Sequence, residues 1–257
     1  MEGALRVLSF VALAGLAFAP LERLFGRNHG PRRDRWTDLG FATVGGLLVY
    51  AGMILVVGAA LSGLDALALA EPLLAAIDAP RLRGALEVAC GLLLFELVGY
   101  LYHRAAHAVP ALWRLHAVHH SSERMDWLAS FRQHPLEILL VTFAQNAPLV
   151  LLGLPLGAHA LVLLALKLNT VFVHADLRIP PGPWSMVIAT PRFHHRHHDR
   201  DAAPRNFAAM FPWLDRLFGT HDASPAGAVG LPGAPAPRTL LGLLAYPFAR
   251  RVRASGE

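Results

Sequence analysis

The sequence has 257 residues, of which 54% are hydrophobic and only 16% charged, and its mean hydropathy is +0.42. Soluble domains are usually nearer 45–50% apolar and about 25% charged, so this composition indicates a membrane protein with several spans. The pI of about 10.1 does not indicate nucleic-acid binding, because the 23 basic residues are Arg with a single Lys, scattered through short polar segments beside apolar runs. The single Cys90 excludes an internal disulfide, a thiolate-ligated zinc site and a four-Cys iron–sulfur cluster.

Apolar stretches of a length suited to crossing roughly 30 Å of hydrocarbon recur along the chain. They are residues 3–20, 39–61, 84–102, 136–153 and 157–175. The first is the shortest, and its end, Ala17-Phe18-Ala19, imitates a signal-peptide cleavage site. Pro20 would then be the first mature residue, where processing is usually blocked, so we interpret this stretch as a retained span.

Charge sets the expected orientation of these spans. The segment 22–38 contains five Arg and is predicted to lie on the cytoplasmic side of a cell inner membrane, whereas 62–83 is predicted to be external. The third span then returns to the cytoplasm near His103. The last two spans form a hairpin that turns at 154–157, and the chain from Asp176 onward is predicted to be cytoplasmic.

Three regions follow from this reading. Residues 1–83 are predicted to hold the N-terminal spans and the Arg-rich loop, 84–221 the catalytic region, and 222–257 a Pro- and Gly-rich loop with a C-terminal tail. Within the tail, the run from Leu240 to Phe248 is too short to span and is expected to lie on the membrane surface.

Histidine is abundant, with 14 residues, and three sets have helical spacing. The sets are His103 and His107; His116, His119 and His120; and His194, His197 and His198. Spacings of three and four residues place side chains on one face of a helix. The orientation argued from charge alone puts all three sets on the cytoplasmic side, and it puts His134 and His174 at the same ends of spans four and five. These ten imidazoles are the predicted metal ligands.

The remaining histidines are interpreted as structural. They are His29 in the Arg-rich loop, His159 near the opposite face, His221 near the C-terminal loop, and His195. His195 is rotated by about 100° from its neighbour on a helix and should point away from the metal.

The number of ligands indicates the metal. A catalytic zinc needs about three protein ligands and a structural zinc four, so ten imidazoles are too many for one zinc ion. Two six-coordinate ions with open positions fit better, and imidazole suits iron. The competing class is a histidine-rich membrane metal-binding or zinc-transport protein without oxygenase activity. Such a transporter would carry ligands near the middle of its spans, whereas here they lie at span ends and in loops.

Several motifs resemble the fatty acid hydroxylase and sterol desaturase superfamily. They are Tyr100-Leu-Tyr-His103-Arg-Ala-Ala-His107, Leu112-Trp113-Arg114-Leu115-His116-Ala-Val-His119-His120-Ser121, Arg132-Gln-His134-Pro135-Leu136-Glu137, Val173-His174-Ala175-Asp176-Leu177, Thr190-Pro191-Arg-Phe-His194-His-Arg-His197-His198, and Leu214-Asp215-Arg216-Leu217-Phe218-Gly219-Thr220. The family often has Asp where this chain has Glu96, and Asn-Tyr-Gly where it has Asn206-Phe207-Ala208.

The resemblance implies a fold, a site and a reaction. The fold is an all-α integral membrane protein of four to five transmembrane helices, with a cytoplasmic helical cap that carries a histidine-rich di-metal site. The same ten histidines would hold two Fe²⁺ ions. The enzyme would use O2 as co-substrate to hydroxylate or desaturate a lipid. No dinucleotide fingerprint, Cys set or haem motif is visible, so we expect a separate ferredoxin, cytochrome or reductase as electron donor. Which lipid is used stays open.

Two charged residues inside the predicted spans each lie about two helical turns before a predicted ligand histidine, and therefore on the same helix face. Glu96 precedes His103 by seven residues, and Lys167 precedes His174 by seven. A lone charge in a bilayer costs at least about 2.5–3.5 kcal/mol on insertion scales. We therefore predict that Glu96 and Lys167 pair across spans three and five. The alternatives are that Lys167 extends to the interface, or that Glu96 bonds a ligand histidine.

Overall fold

The computed structural model describes residues 2–27, 32–62, 64, 67–154, 160–233 and 236–249. Ten helices occur in these ranges: α1 Glu2–Phe25, α2 Arg35–Leu61, α3 Glu71–Ala75, α4 Pro80–Ala108, α5 Pro110–His120, α6 Pro135–Leu152, α7 Ala160–His174, α8 Pro191–His197, α9 Trp213–Leu217 and α10 Leu240–Ala245. Short 3₁₀ turns occur at Trp127–Phe131, Pro183–Met186 and Tyr246–Phe248. The described part of the chain contains no β-strand beyond one isolated bridge between Asp199 and Val229.

Among the described residues, four helices are long and apolar enough to cross a membrane, namely α1, α2, α4 and α6. They correspond to the first four predicted stretches; the first three helices are longer than their stretches, and α6 matches the fourth to within one residue at each end. α1 is 24 residues long even though it contains Pro20, so the first stretch has the length of a span. The all-helical membrane fold predicted from the sequence is therefore confirmed.

The fifth predicted span is shorter. α7 has 15 described residues, or about 22 Å of helix, which is less than the roughly 30 Å of a bilayer core. α6 ends at Leu152 and is capped by Gly153, whose φ of +76° is the left-handed conformation that glycine adopts at helix ends. The predicted turn at 154–157 falls largely on residues 155–159, which lie outside the described residues, as do His29 and His159.

The core beneath the histidines joins α4, α7, α8 and α9. It contains Tyr100, Val173, Phe193, Phe207 and Leu214, all of them buried. The Tyr100 hydroxyl also lies 2.8 Å from Thr220 Oγ1. Because residues from these four helices and from the loop after α8 meet in this core, it fixes the helix ends that carry the histidines.

A buried ionic network ties the start of α2 to the segment between α5 and α6. The Arg132 side chain is 2% exposed and bonds the Asp38 carboxylate, which is fully buried. Arg32 bonds both Asp38 and Asp126. Asp126 in turn accepts the backbone N–H of Leu128 at 2.9 Å, at the start of a 3₁₀ turn. The N-terminal spans are thereby attached to a segment that borders the histidines.

The predicted pair between Glu96 and Lys167 is wrong. Glu96 is 2% exposed, and its Oε2 accepts the backbone N–H of Met210 at 2.9 Å. Lys167 is exposed, and its Nζ lies 5.6 Å from the centroid of the Phe10 ring on α1. The loop containing Met210 supplies the partner of Glu96, so this acid needs no cation.

Replacing Glu96 with leucine is expected to destabilise the protein, because the Met210 N–H loses its acceptor. A buried, unsatisfied polar group costs about 1–3 kcal/mol. Glu96→Gln keeps an acceptor oxygen at the same reach and should lose much less. Thermal unfolding in detergent measures the difference, and equal losses in the two variants would show that the bond to Met210 contributes nothing.

Candidate metal centre

The first two histidine sets are placed by two consecutive helices. His103 and His107 lie one turn apart at the end of α4, and the chain reverses at Val109 into α5. Pro110 occupies the first turn of α5, where its missing N–H is no loss. The last turns of α5 then carry His116, His119 and His120 back towards α4.

The third set is placed by α8, and its neighbour by the end of α7. α8 starts at the helix cap Thr190, whose Oγ1 accepts the N–H of Phe193 at 3.2 Å. It carries His194 and His197, and His198 is its C-terminal cap. His174 is the last residue of α7, beside α8.

The structure brings nine of the ten predicted ligands into two groups, and in each group the candidate ligand atoms lie within 4.8 Å of one another. The five-histidine group is His103, His107, His116, His120 and His197. The four-histidine group is His119, His174, His194 and His198. Each group draws on more than one helix, so the folded chain assembles a centre that can bind metal.

Five of these rings are oriented by an acceptor at Nδ1. The acceptors are the carbonyl oxygens of Phe207 for His103 (2.7 Å), Arg132 for His119 (3.0 Å), Thr170 for His174 (2.7 Å) and Arg205 for His197 (2.7 Å), and the Glu137 carboxylate for His116 (2.6 Å). Metal-binding histidines commonly donate their second ring N–H in this way, which fixes the tautomer and the ring plane.

The inward-facing Nε2 atoms of His119 and His174 indicate that a cation is favoured between them. Both rings donate from Nδ1 to a carbonyl oxygen, which can only accept, so each neutral ring has a lone pair at Nε2. These two Nε2 atoms are 3.1 Å apart. Two lone pairs at that distance repel each other, and a cation between them removes the repulsion. The donor set therefore fits a bound metal ion.

Burial keeps these imidazoles neutral. It lowers the pKa of His116 to about 3. Burial, with the neighbouring imidazoles as a smaller cause, also holds the pKa of His120 and His198 well below the usual value for histidine. Only the neutral ring offers a lone pair to a metal, so the environment favours the form that binds.

His134 lies outside both groups, so the structure does not bring this predicted ligand together with the other nine. Its Nδ1 accepts the N–H of Leu136 at 3.2 Å and so caps α6, and its Nε2 donates to the carbonyl oxygen of Leu244 at 3.1 Å. With both nitrogens engaged, this ring is a structural link between α6 and α10. His195 also lies outside both groups, as expected, and its Nε2 donates to the His174 carbonyl at 3.1 Å. His221 is likewise outside them.

A loop after α8 holds the acceptor of His103 in place. The buried Asp215 carboxylate accepts the N–H groups of Phe207 at 2.7 Å and Ala208 at 2.8 Å. Asn206 has a φ of +59°, a conformation that asparagine tolerates. Its side chain donates to the carbonyl of Phe193 at 3.0 Å. The loop is thus fixed on both sides of the carbonyl that orients His103.

Glu137 is the site residue whose role the sequence did not indicate. An acid in the first turn of a helix is usually explained by the helix dipole, and nothing in the spacing connects Glu137 with His116. We expect Glu137→Ala to lower metal affinity or turnover about 10–100-fold, as is typical when an outer partner of a ligand is lost. Glu137→Gln keeps an acceptor and should lose less.

The matched control for this prediction is Glu123→Ala, which removes an exposed carboxylate that contacts Arg238 at the surface. Metal titration of the three variants provides the comparison. If Glu137→Ala bound metal as tightly as Glu123→Ala, the contact with His116 would have no positioning role.

A cavity of about 390 Å³ opens against the five-histidine group. His107, His120 and the Trp113 ring form one wall, with the Trp113 centroid 5.0 Å and 5.5 Å from those of the two histidines. The charged turn 199–201 forms another wall. The five-histidine group is therefore accessible to small molecules from a polar surface.

Fold and site together define a helical membrane protein with a histidine-built centre that can bind metal. The model of the fatty acid hydroxylase family matches residues 88–220, just over half of the chain, and the chain belongs to this family. The resemblance inferred from the histidine motifs is thereby confirmed.

Two relatives show how far the similarity extends. The chain is 32% identical over 174 residues to the ornithine lipid hydroxylase OlsE of Rhizobium tropici, covering 66% of this chain and 52% of the relative. It is 32% identical over 126 residues to the human alkylglycerol monooxygenase, covering 48% of this chain and 28% of the relative. The chain thus spans about half the length of the first relative and just over a quarter of the second. No solved structure was found to match the chain.

Proposed function

We propose that this protein is an oxygenase that hydroxylates, or desaturates, a C–H bond of a membrane lipid with O2 at an iron centre. The observation that carries the proposal is the convergence of nine neutral imidazoles in two groups at the ends of apolar helices. Membership of the fatty acid hydroxylase family supports the same chemistry. The names of the relatives designate enzymes acting on lipids, which supports a lipid substrate here.

We propose one iron ion for each histidine group. Imidazole ligands suit iron, and two ions account for more ligands than a single zinc ion would use. When bound, ferrous iron supplies the electrons that activate O2 for attack on an unactivated C–H bond. The protein's part is to orient the rings through their Nδ1 acceptors and to keep bulk water from the buried four-histidine group.

The overall reaction requires electrons from outside. In hydroxylation, one oxygen atom enters the C–H bond and the other leaves as water, which consumes an electron pair and two protons. We propose that a separate ferredoxin, cytochrome or reductase supplies the pair, and that the Arg-rich surface on the proposed cytoplasmic side can dock an acidic donor. NADPH alone should then give no turnover, and adding a reductase–carrier pair should start it. Turnover with NADPH alone would contradict a separate donor.

We further propose that the centre faces the cytoplasm of a cell whose inner membrane holds the protein. The Arg-rich segment between α1 and α2 supports this orientation. A topology reporter fused after Glu257 should report a cytoplasmic location, and one inserted near Asp65 an external one. The opposite pair of signals would place the centre on the external side.

The function is tested by comparing the lipids of cells that express the protein with those of cells that express His197→Ala. Mass spectrometry should find lipids that have gained one oxygen atom only with the unchanged protein, whereas desaturation would instead remove two hydrogens. Identical lipids in both strains, together with bound zinc rather than iron, would favour a metal-binding or zinc-transporting protein.

A further inference from the structure

Two loops near the metal centre are apolar and contain no charged residue. No charged residue occurs from Ile179 to Thr190 or from Asn206 to Leu214. Within them, residues 183–188 and 209–213 form what we call the apolar loop pair. Its large exposed side chains are Trp184, Met186, Val187, Ile188 and Trp213, which are 38–55% exposed. The neighbouring segment 192–205, by contrast, contains four Arg and two Asp.

The two loops are joined to each other and to the spans. The N–H of Ala189 donates to the carbonyl of Met210 at 2.8 Å. The N–H of Met210 donates to Glu96 on α4 at 2.9 Å, and Asn169 on α7 donates to the carbonyl of Ala209 at 2.9 Å. The loop pair therefore lies beside α4 and α7, fastened by buried side chains from both.

These contacts lie away from the helix end that carries the metal ligands, towards the middle of the spans. Glu96 precedes His103 by seven residues on a continuous helix, which is about 10 Å further from the end of α4 that carries the metal ligands. At that depth no water is present to satisfy backbone N–H and C=O groups, so non-helical backbone needs protein partners. Glu96, Asn169 and the bond between the loops provide them.

We propose that the apolar loop pair is embedded in the bilayer and contacts lipid acyl chains. The depth of its anchors, its lack of charge and its exposed Trp, Met, Val and Ile side chains all fit a hydrocarbon environment. This membrane contact is additional to the spanning helices. It also brings acyl chains close to the metal centre, because Phe207, whose carbonyl orients His103, is three residues from Met210.

A spin label tests the proposal without using activity. Cys90 is the only cysteine, so Cys90→Ala provides the background for Val187→Cys labelled with a nitroxide in phosphatidylcholine vesicles. Leu55→Cys, at a 73% exposed position within α2, is the lipid-facing control. Asp201→Cys, at a 72% exposed side chain in the charged turn, is the aqueous control.

The label at position 187 should be relaxed more by O2, which concentrates in lipid, than by a water-soluble nickel complex. The ratio of relaxation by O2 to relaxation by the nickel complex should match the ratio for Leu55→Cys. It should exceed the ratio for Asp201→Cys several-fold. A ratio equal to that of Asp201→Cys would overturn the proposal and leave the loop pair as a water-exposed surface for a protein partner. Met186→Cys replaces Val187→Cys if the latter does not fold, and metal content verifies folding. An aqueous result would not affect the proposed oxygenase function.

Discussion

Replacing one histidine in either group is expected to abolish lipid oxidation. His197→Ala removes a ligand from the five-histidine group, and His198→Ala removes one from the four-histidine group. Each loss should exceed the roughly 10–100-fold that follows from changing an outer partner of a ligand, because the proposed reaction would need a metal ion held in each group. Turnover with a reductase system and iron per chain are the two measurements.

His221→Ala is the matched control, since it removes an imidazole that lies in neither group. It should keep the activity and the iron of the unchanged protein, and all three variants should remain in the membrane fraction. Full turnover in His197→Ala or His198→Ala would show that the two groups are not the catalytic centre, whatever metal they bind.

Removing one partner of the buried ionic network is expected to cause the largest loss of stability. Arg132→Met leaves the buried Asp38 carboxylate with Arg32 alone. Breaking a buried ion pair by removing one partner typically costs about 3–5 kcal/mol, whereas replacing both partners is often nearly neutral. The double variant Arg132→Met/Asp38→Asn should therefore recover much of the lost thermal stability in detergent.

An exposed pair provides the control for this prediction. Arg83 contacts Glu71 and Glu87 with side chains 29–51% exposed, and Arg83→Met should cost no more than about 1 kcal/mol. A loss in Arg132→Met no greater than this, or a double variant whose losses simply add, would show that the network does not stabilise the fold. Because the Arg132 carbonyl orients His119, we also expect the unstable variant to retain less metal.

The histidine groups were predictable because their spacing is local. A separation of three or four residues determines that side chains share a helix face, and this applies to most ligands on α4, α5 and α8. His134 occupies a similar place at the end of a predicted span, but the sequence does not distinguish a ligand from a helix cap. That distinction depends on the Leu244 carbonyl, which is 110 residues away along the chain.

Contacts made through backbone atoms were not predictable. The carbonyl groups that orient His103, His119, His174 and His197 have no residue type that could mark them. The incorrect pairing of Glu96 with Lys167 has a related cause. The register along each helix does not define helix rotation, and a loop from a distant part of the chain supplies the acid's partner.

The most direct test of the account supplies isotopically heavy dioxygen to the purified, iron-loaded protein in lipid vesicles, with a reductase–carrier pair. The account predicts that a membrane lipid is oxidised, that an alcohol product carries heavy oxygen from dioxygen and none from heavy water whereas desaturation removes two hydrogens, and that His198→Ala gives neither product. If the unchanged protein retained iron in both groups and consumed electrons, yet no lipid oxidation product formed, lipid oxygenation would be contradicted.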